Sequence, residues 1–198
     1  MELKVKIMCL GIQVNKDKIG NLIVLLAGRL KPLYNTKLIK LLYLIDEEAV
    51  KDGGIPITWL DYKVWQHGPV APETYFIQEE PNIFDSYIEK SKKADGTIIK
   101  PKVSFDDSEF SDYDLEIIER VITKFGKMTS KDLVKLTHKE GTLWDIAKKE
   151  NNINFDASNT TSDYSLDFTR IISDDELKLS NYKGAKETMM FRAQIEKC

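Results

Sequence analysis

The stretch TKLIKLLYLIDEEAVKDGG, residues 36–54, decides the fold. Drawn as a helix over 36–52, its apolar residues Leu38, Ile39, Leu41, Leu42, Leu44, Ile45, Ala49 and Val50 cover most of the circumference. A surface helix needs only one apolar stripe, so a helix apolar nearly all round belongs in a core. Asn35 or Thr36 supplies the N-cap, and Gly53 and Gly54 supply the stop. The rest of the chain is expected to pack around this segment. The class is mainly α (α+β): a helical domain around a buried central helix, with a small β-hairpin or extended segment.

Upstream, KDKIGNLIVLLAGRL (16–30) places Ile19, Leu22, Ile23, Leu26 and Leu30 at helical spacing, and Pro32 ends the pattern. Downstream the periodicity fails. IPITWLDYKVW (55–65) is rich in β-branched and aromatic residues and reads as extended or irregular. Proline disfavours the helical region for the residue before it, so Gly68 and Ala71 in KVWQHGPVAPE (63–73) are biased extended. A short helix follows from Pro72 over PETYFIQ. Asp95-Gly96 marks a hairpin turn, and Pro101 makes the following strand an edge or breaks it.

Three capped helices come next. Ser111 with Asp114 opens 112–125, whose buried face is Leu115, Ile118, Val121, Ile122 and Phe125. Thr129 with Asp132 opens a second helix that turns Leu133, Val134 and Leu136 inward. Thr142 with Asp145 opens a third, carrying Leu143, Trp144, Ile146 and Ala147. Beyond 150, ENNINFDASNTTSDYS reads as a polar surface loop. Ser173 with Glu176 marks a last helix over 174–196, with Leu177, Met189, Met190 and Ile195 as a thin stripe weakened by Gly184. The domain expectation is 1–150 as the helical body and 151–198 as an appended loop and helix.

Composition narrows the function classes. The 198 residues are 42% hydrophobic and 31% charged, with a net charge of −3. That balance is no global signature of a nucleic-acid or anionic-membrane binder. No run approaches the ~20 apolar residues of a membrane span. The lysine-broken start lacks a signal-peptide core, so the protein is expected in the cytoplasm. Cys9 and Cys198 are expected as free thiols in a reducing compartment.

Chemistry-bearing motifs are sparse. GGIP at 53–56 has neither the spacing nor the context of a phosphate loop. No CxxC, HExxH or G-x-S-x-G occurs, and the histidines, His67 and His138, stand 71 positions apart. No metal or cofactor is expected, and no catalytic residue is assigned. His138, at a helix end, is expected to cap carbonyls or interact with the helix dipole. His67 is expected to serve a backbone group or a carboxylate, with Trp65 anchoring a rigid Gly68-Pro69 corner to the central helix. The alternative is that Trp65 and His67 face outward and touch a partner. Tyr34, Tyr43, Trp59, Tyr62, Trp65, Tyr75 and Phe76 crowd into 43 residues, which suits either core packing or an interface hot spot. The 129–150 segment has a helix-turn-helix rhythm. Its second helix spends much of its surface on packing, however, and keeps Lys148 and Lys149 at the wrong end for base reading.

These residues together resemble the Panacea domain, an antitoxin domain that also occurs in phage-associated proteins. Lys40, Leu41, Leu42 and Tyr43 match its first helix. Tyr62, Trp65, Gly68, Pro69, Val70, Pro72 and Tyr75 match its aromatic and G-P-V segment, and Thr137, His138 and Trp144 match its second half. The resemblance covers roughly residues 18–150. It implies a non-enzymatic protein that neutralises a cognate toxin, encoded by an adjacent gene, by direct contact. It implies the motif residues Tyr43, Tyr62, Trp65, His67, Gly68, Pro69, Pro72, Tyr75, His138 and Trp144 as the protein-binding or motif set. Two other readings stay open: a regulator of operator DNA through 129–150, and an adaptor delivering a bound protein for proteolysis. Oligomeric state is left open.

Overall fold

The computed structural model describes residues 8–9, 12–13, 15–79 and 81–195. Cys198 and the side chain of Cys9 lie outside the described residues, and so does any pairing between them.

Two short antiparallel strands, β1 (Met8–Cys9) and β2 (Ile12–Gln13), precede α1 (Lys16–Arg29). The Asn15 side chain accepts from the amides of Asp17 and Lys18 at 2.9 and 3.0 Å, which satisfies two of the orphan donors at the α1 N-terminus. Strand β3 (Leu33–Tyr34) leads directly into α2 (Asn35–Gly53). Every apolar residue named for the central helix is buried. The helix begins one residue earlier than either expected cap allows. Its N-cap is Tyr34, which offers no side-chain capping bond. Strand pairing, not capping chemistry, sets the entry, because Leu33 and Tyr34 pair with Ile99 and Ile98. At the other end Gly54 takes a left-handed φ of 85° and donates its N–H to Val50 O at 2.9 Å.

Residues 55–62 are irregular and lead into the hairpin of β4 (Lys63–Trp65) and β5 (Gly68–Val70). One helical turn, α3 (Pro72–Tyr75), starts on Pro72 as expected and continues as a 3₁₀ turn through Gln78. Strands β6 (Ile88–Lys93) and β7 (Gly96–Pro101) close around Ala94 and Asp95. Because β3 pairs with the far side of β7, the sheet order is β3-β7-β6 and β7 is its central strand, not an edge. Pro101 is tolerated because it is the last strand residue, paired with Ile88 beyond the two-residue reach of β3.

The capped helices are α4 (Asp112–Phe125), α5 (Ser130–Thr137) and α6 (Leu143–Glu150). Complete capping boxes open α4 and α5, and Thr142 caps α6. The buried face of α4 also includes Ile117, while Leu115 and Phe125 are only half-buried.

The C-terminal segment departs most from the reading of the sequence. Residues 160–166 are not merely a surface loop: they run along β4. Val64 N donates to Tyr164 O at 2.9 Å, Gln66 N to Thr160 O at 2.9 Å, and Leu166 N to Tyr62 O at 2.7 Å. A 3₁₀ turn (Phe168–Ile172) follows, then α7 (Glu176–Ile195). The cap of α7 is Asp175, which accepts from Lys178 N at 3.1 Å, rather than Ser173, whose hydroxyl donates to Asp174. Leu177, Met190 and Ile195 of the expected stripe are exposed, whereas Tyr182 of α7 is buried. Its first two turns dock on the end of α2, where Lys178 Nζ donates to Lys51 O at 2.8 Å and Asn181 Nδ2 to Gly53 O at 3.1 Å. Ile153, Leu166, Phe168, Ile172 and Tyr182 share one apolar cluster with α1, α2 and α4. No helix among the described residues is long and apolar enough to cross a membrane.

Candidate functional site

The β4–β5 hairpin sits on α2, and two charged residues of that helix hold its two flanks. Lys40 is 1% exposed, and its ammonium donates to Pro69 O at 2.8 Å. No carboxylate lies within ion-pair distance of it among the described residues, so burial drives its pKa down to about 7. Asp46 is wholly buried. It accepts from Thr58 N at 2.7 Å, from the Thr58 hydroxyl and from Tyr62 OH at 2.9 Å. Burial pushes its pKa up to about 6, against the pull of these hydrogen bonds. A helix that is apolar around most of its circumference thus carries two ionisable side chains in its core, each tying down the chain that follows it.

The second half of the molecule grips the hairpin from its turn. His138, the C-cap of α5, places Nδ1 against Val134 O and Nε2 3.0 Å from Gln66 O. Its ring lies 4.1 Å from that of Trp144. Trp144 Nε1 donates to Trp65 O at 2.8 Å. Gly68 has φ +98°, and a Cβ there would meet Lys40 Nζ and Thr137 Oγ1 at 2.9 Å and His138 Cε1 at 3.0 Å. Only glycine allows β5, α2 and α5 to meet this closely.

The expected motif residues divide into two groups. Tyr43 and Tyr62 are core: their rings meet edge to face at 5.3 Å, and both pack on Phe168. Gly68, Pro69, His138 and Trp144 form the junction just described, and Pro72 starts α3. The outward group is different. His67 is exposed at the turn, without a hydrogen bond among the described residues. Trp65 is half-buried, and its ring packs on Tyr75 at 5.0 Å. Tyr75 in turn touches Phe76 at 5.6 Å. Tyr75 and Phe76 are 37% and 45% exposed. Backbone service therefore falls to His138, not to His67, and Lys40 ties the hairpin to α2.

Sequence reasoning missed the burial of Lys40 and Asp46. The one available signal was their position inside a helix already read as apolar all round. On the other side of the junction, the first turn of α6 is committed to structure. Leu143 and Trp144 are buried, and the Thr142 hydroxyl donates to Thr137 O and Lys139 O. No group of three His, Cys, Asp or Glu side chains among the described residues is placed to hold a metal ion.

The family described as antitoxin SocA-like, Panacea domain, matches residues 38–145, from inside α2 to the first turn of α6. The antitoxin SocA of Caulobacter vibrioides (strain NA1000 / CB15N) is 30% identical over 139 residues, which cover 67% of this chain and 70% of that protein. No solved structure matches. The chain belongs to the SocA-like Panacea family of antitoxins.

Proposed function

We propose that this Panacea-family chain is an antitoxin that neutralises a protein toxin in the cytoplasm by direct contact and without catalysis. The observation that carries this reading is the aromatic ledge of Trp65, Tyr75 and Phe76 beside the exposed His67. Large aromatic side chains left in water on a rigid support are what interface hot spots are made of. The support is rigid here because Lys40, His138 and Trp144 fix the backbone carbonyls of residues 65, 66 and 69. A stable interface buries about 1,200–2,000 Å² in total, so the ledge serves as its centre and neighbouring surface supplies the rest.

The test is co-expression with the product of the adjacent gene, followed by a pull-down. The chain rescues growth and retains the toxin, and the double variant Tyr75→Ser, Phe76→Ser folds normally but does neither. Rescue by that variant at wild-type level would move the interface elsewhere. A chain that rescues growth without binding any toxin would end the direct-contact reading.

A further inference from the structure

Lys127, Lys131, Lys135 and Lys139 follow one another at intervals of four in a chain of net charge −3. Lys131 and Lys135 lie one turn apart on α5, a spacing that puts them on one face. Lys127 precedes the Thr129 cap and Lys139 follows the His138 cap. All four are exposed, and none forms an ion pair among the described residues. The neighbouring carboxylates have partners of their own, although Asp132 also feels the charge of Lys135. Asp132 accepts from the Thr129 hydroxyl at 2.7 Å, and Glu140 and Asp145 face Lys149 at 3.7 and 2.9 Å. Lys148 is spent over the Trp144 and Phe155 rings. Four cations therefore stand on an eight-residue helix about 12 Å long and its two flanks, with Lys135 within electrostatic reach of Asp132.

The chemistry of the surroundings selects the partner class. Protein interfaces are centred on apolar and aromatic side chains and are poor in lysine. No large apolar side chain is exposed anywhere from 126 to 150. A face of lysines with no apolar centre fits a partner that offers closely spaced negative charge and little else. Duplex DNA is such a partner, with one phosphate charge per ~1.7 Å of its axis. We infer that the α5 lysine face binds the phosphate backbone of duplex DNA, independently of the aromatic ledge. Binding is indifferent to sequence, because phosphate contacts carry no base information and the first turn of α6, which would have to read bases, is buried in the hairpin junction.

The test is fluorescence anisotropy of a labelled random-sequence duplex with the full chain. Four released counterions predict a slope of log affinity on log salt of about −3.6, or roughly a hundredfold loss between about 50 and 200 mM salt. Changing Lys127, Lys131, Lys135 and Lys139 together to Gln abolishes binding while the melting curve stays unchanged. The same change at Lys16, Lys92, Lys93 and Lys100, exposed elsewhere, leaves most of it. Absence of binding at about 50 mM salt would overturn the inference, as would equal losses in the two variants. Tighter lysine-dependent binding to polyglutamate than to the duplex would overturn it too, in favour of an acidic polypeptide.

Discussion

Trp144 and Trp65 are joined side chain to backbone: the indole N–H of the first reaches the carbonyl of the second at 2.8 Å. Through this one bond α6 holds the turn of a hairpin 79 residues earlier in the chain. Trp144→Phe keeps the ring against His138 but leaves that carbonyl without its donor. The expected cost is about 2 kcal/mol, read as a lower urea midpoint, with toxin retention weakened because the ledge loses part of its support.

Gly68→Ala is expected to be more damaging. Its positive φ is unfavourable for any side chain, and the new methyl group would press on Lys40, Thr137 and His138 at once. Strain and overpacking together come to about 2–4 kcal/mol. A variant melting within a degree of wild type would show that β5 can move away from α5.

Lys40 makes stability depend on pH in the alkaline direction. Its folded pKa, about 7, lies below the ordinary 10.5. Between those values the unfolded chain binds more protons, so stability rises with pH across that window. Lys40→Met removes the buried charge but also the donor to Pro69 O. The variant should equal or exceed wild type near about pH 6, where the charged amine is costly to bury, and fall below it near about pH 9.5, where wild type keeps a neutral amine on Pro69. Urea titrations at both pH values decide, and a difference of constant sign would refute the account.

Asp46 acts in the acid range with the opposite slope. Its folded pKa of about 6 exceeds the ordinary 3.8, so the folded state binds more protons between them and stability falls as pH rises through that window. Asp46→Ala abolishes this component. It also orphans the Thr58 amide, the Thr58 hydroxyl and the Tyr62 hydroxyl, costing about 3 kcal/mol or more at neutral pH.

The helices were legible because their signals are local. A run such as 36–52 carries its own periodicity, and Ser111–Asp114 or Thr129–Asp132 announce a start whatever else the chain does. The contacts that build the candidate site are not local. Lys40 reaches a carbonyl 29 residues away, and His138 one 72 residues away. A lysine in a helix reads as solvated until the fold closes over it. Strand β3 was invisible because two residues make no alternation, yet its pairing with β7 overrode the expected caps at Asn35 and Thr36. The Asn-, Ser- and Thr-rich segment after 150 reads as loop by composition, and its backbone bonds to β4 leave no trace in side-chain pattern. The aromatic crowding of 34–76 did indicate both roles, but only burial separates Tyr43 and Tyr62 from Tyr75 and Phe76.

Residues 160–166 lie along one edge of β4, while α2 and α5 pack against β5, whose Pro69 has no N–H to donate and gives its carbonyl to Lys40. Neither border of this little ribbon has a row of amides and carbonyls to lend. A visiting polypeptide has nowhere to enrol as an extra strand, the commonest shortcut to tight but indiscriminate pairing. On the proposed reading, a toxin docking there would be read by the shapes and charges of individual side chains, and discrimination between rival toxins would reside in very few positions.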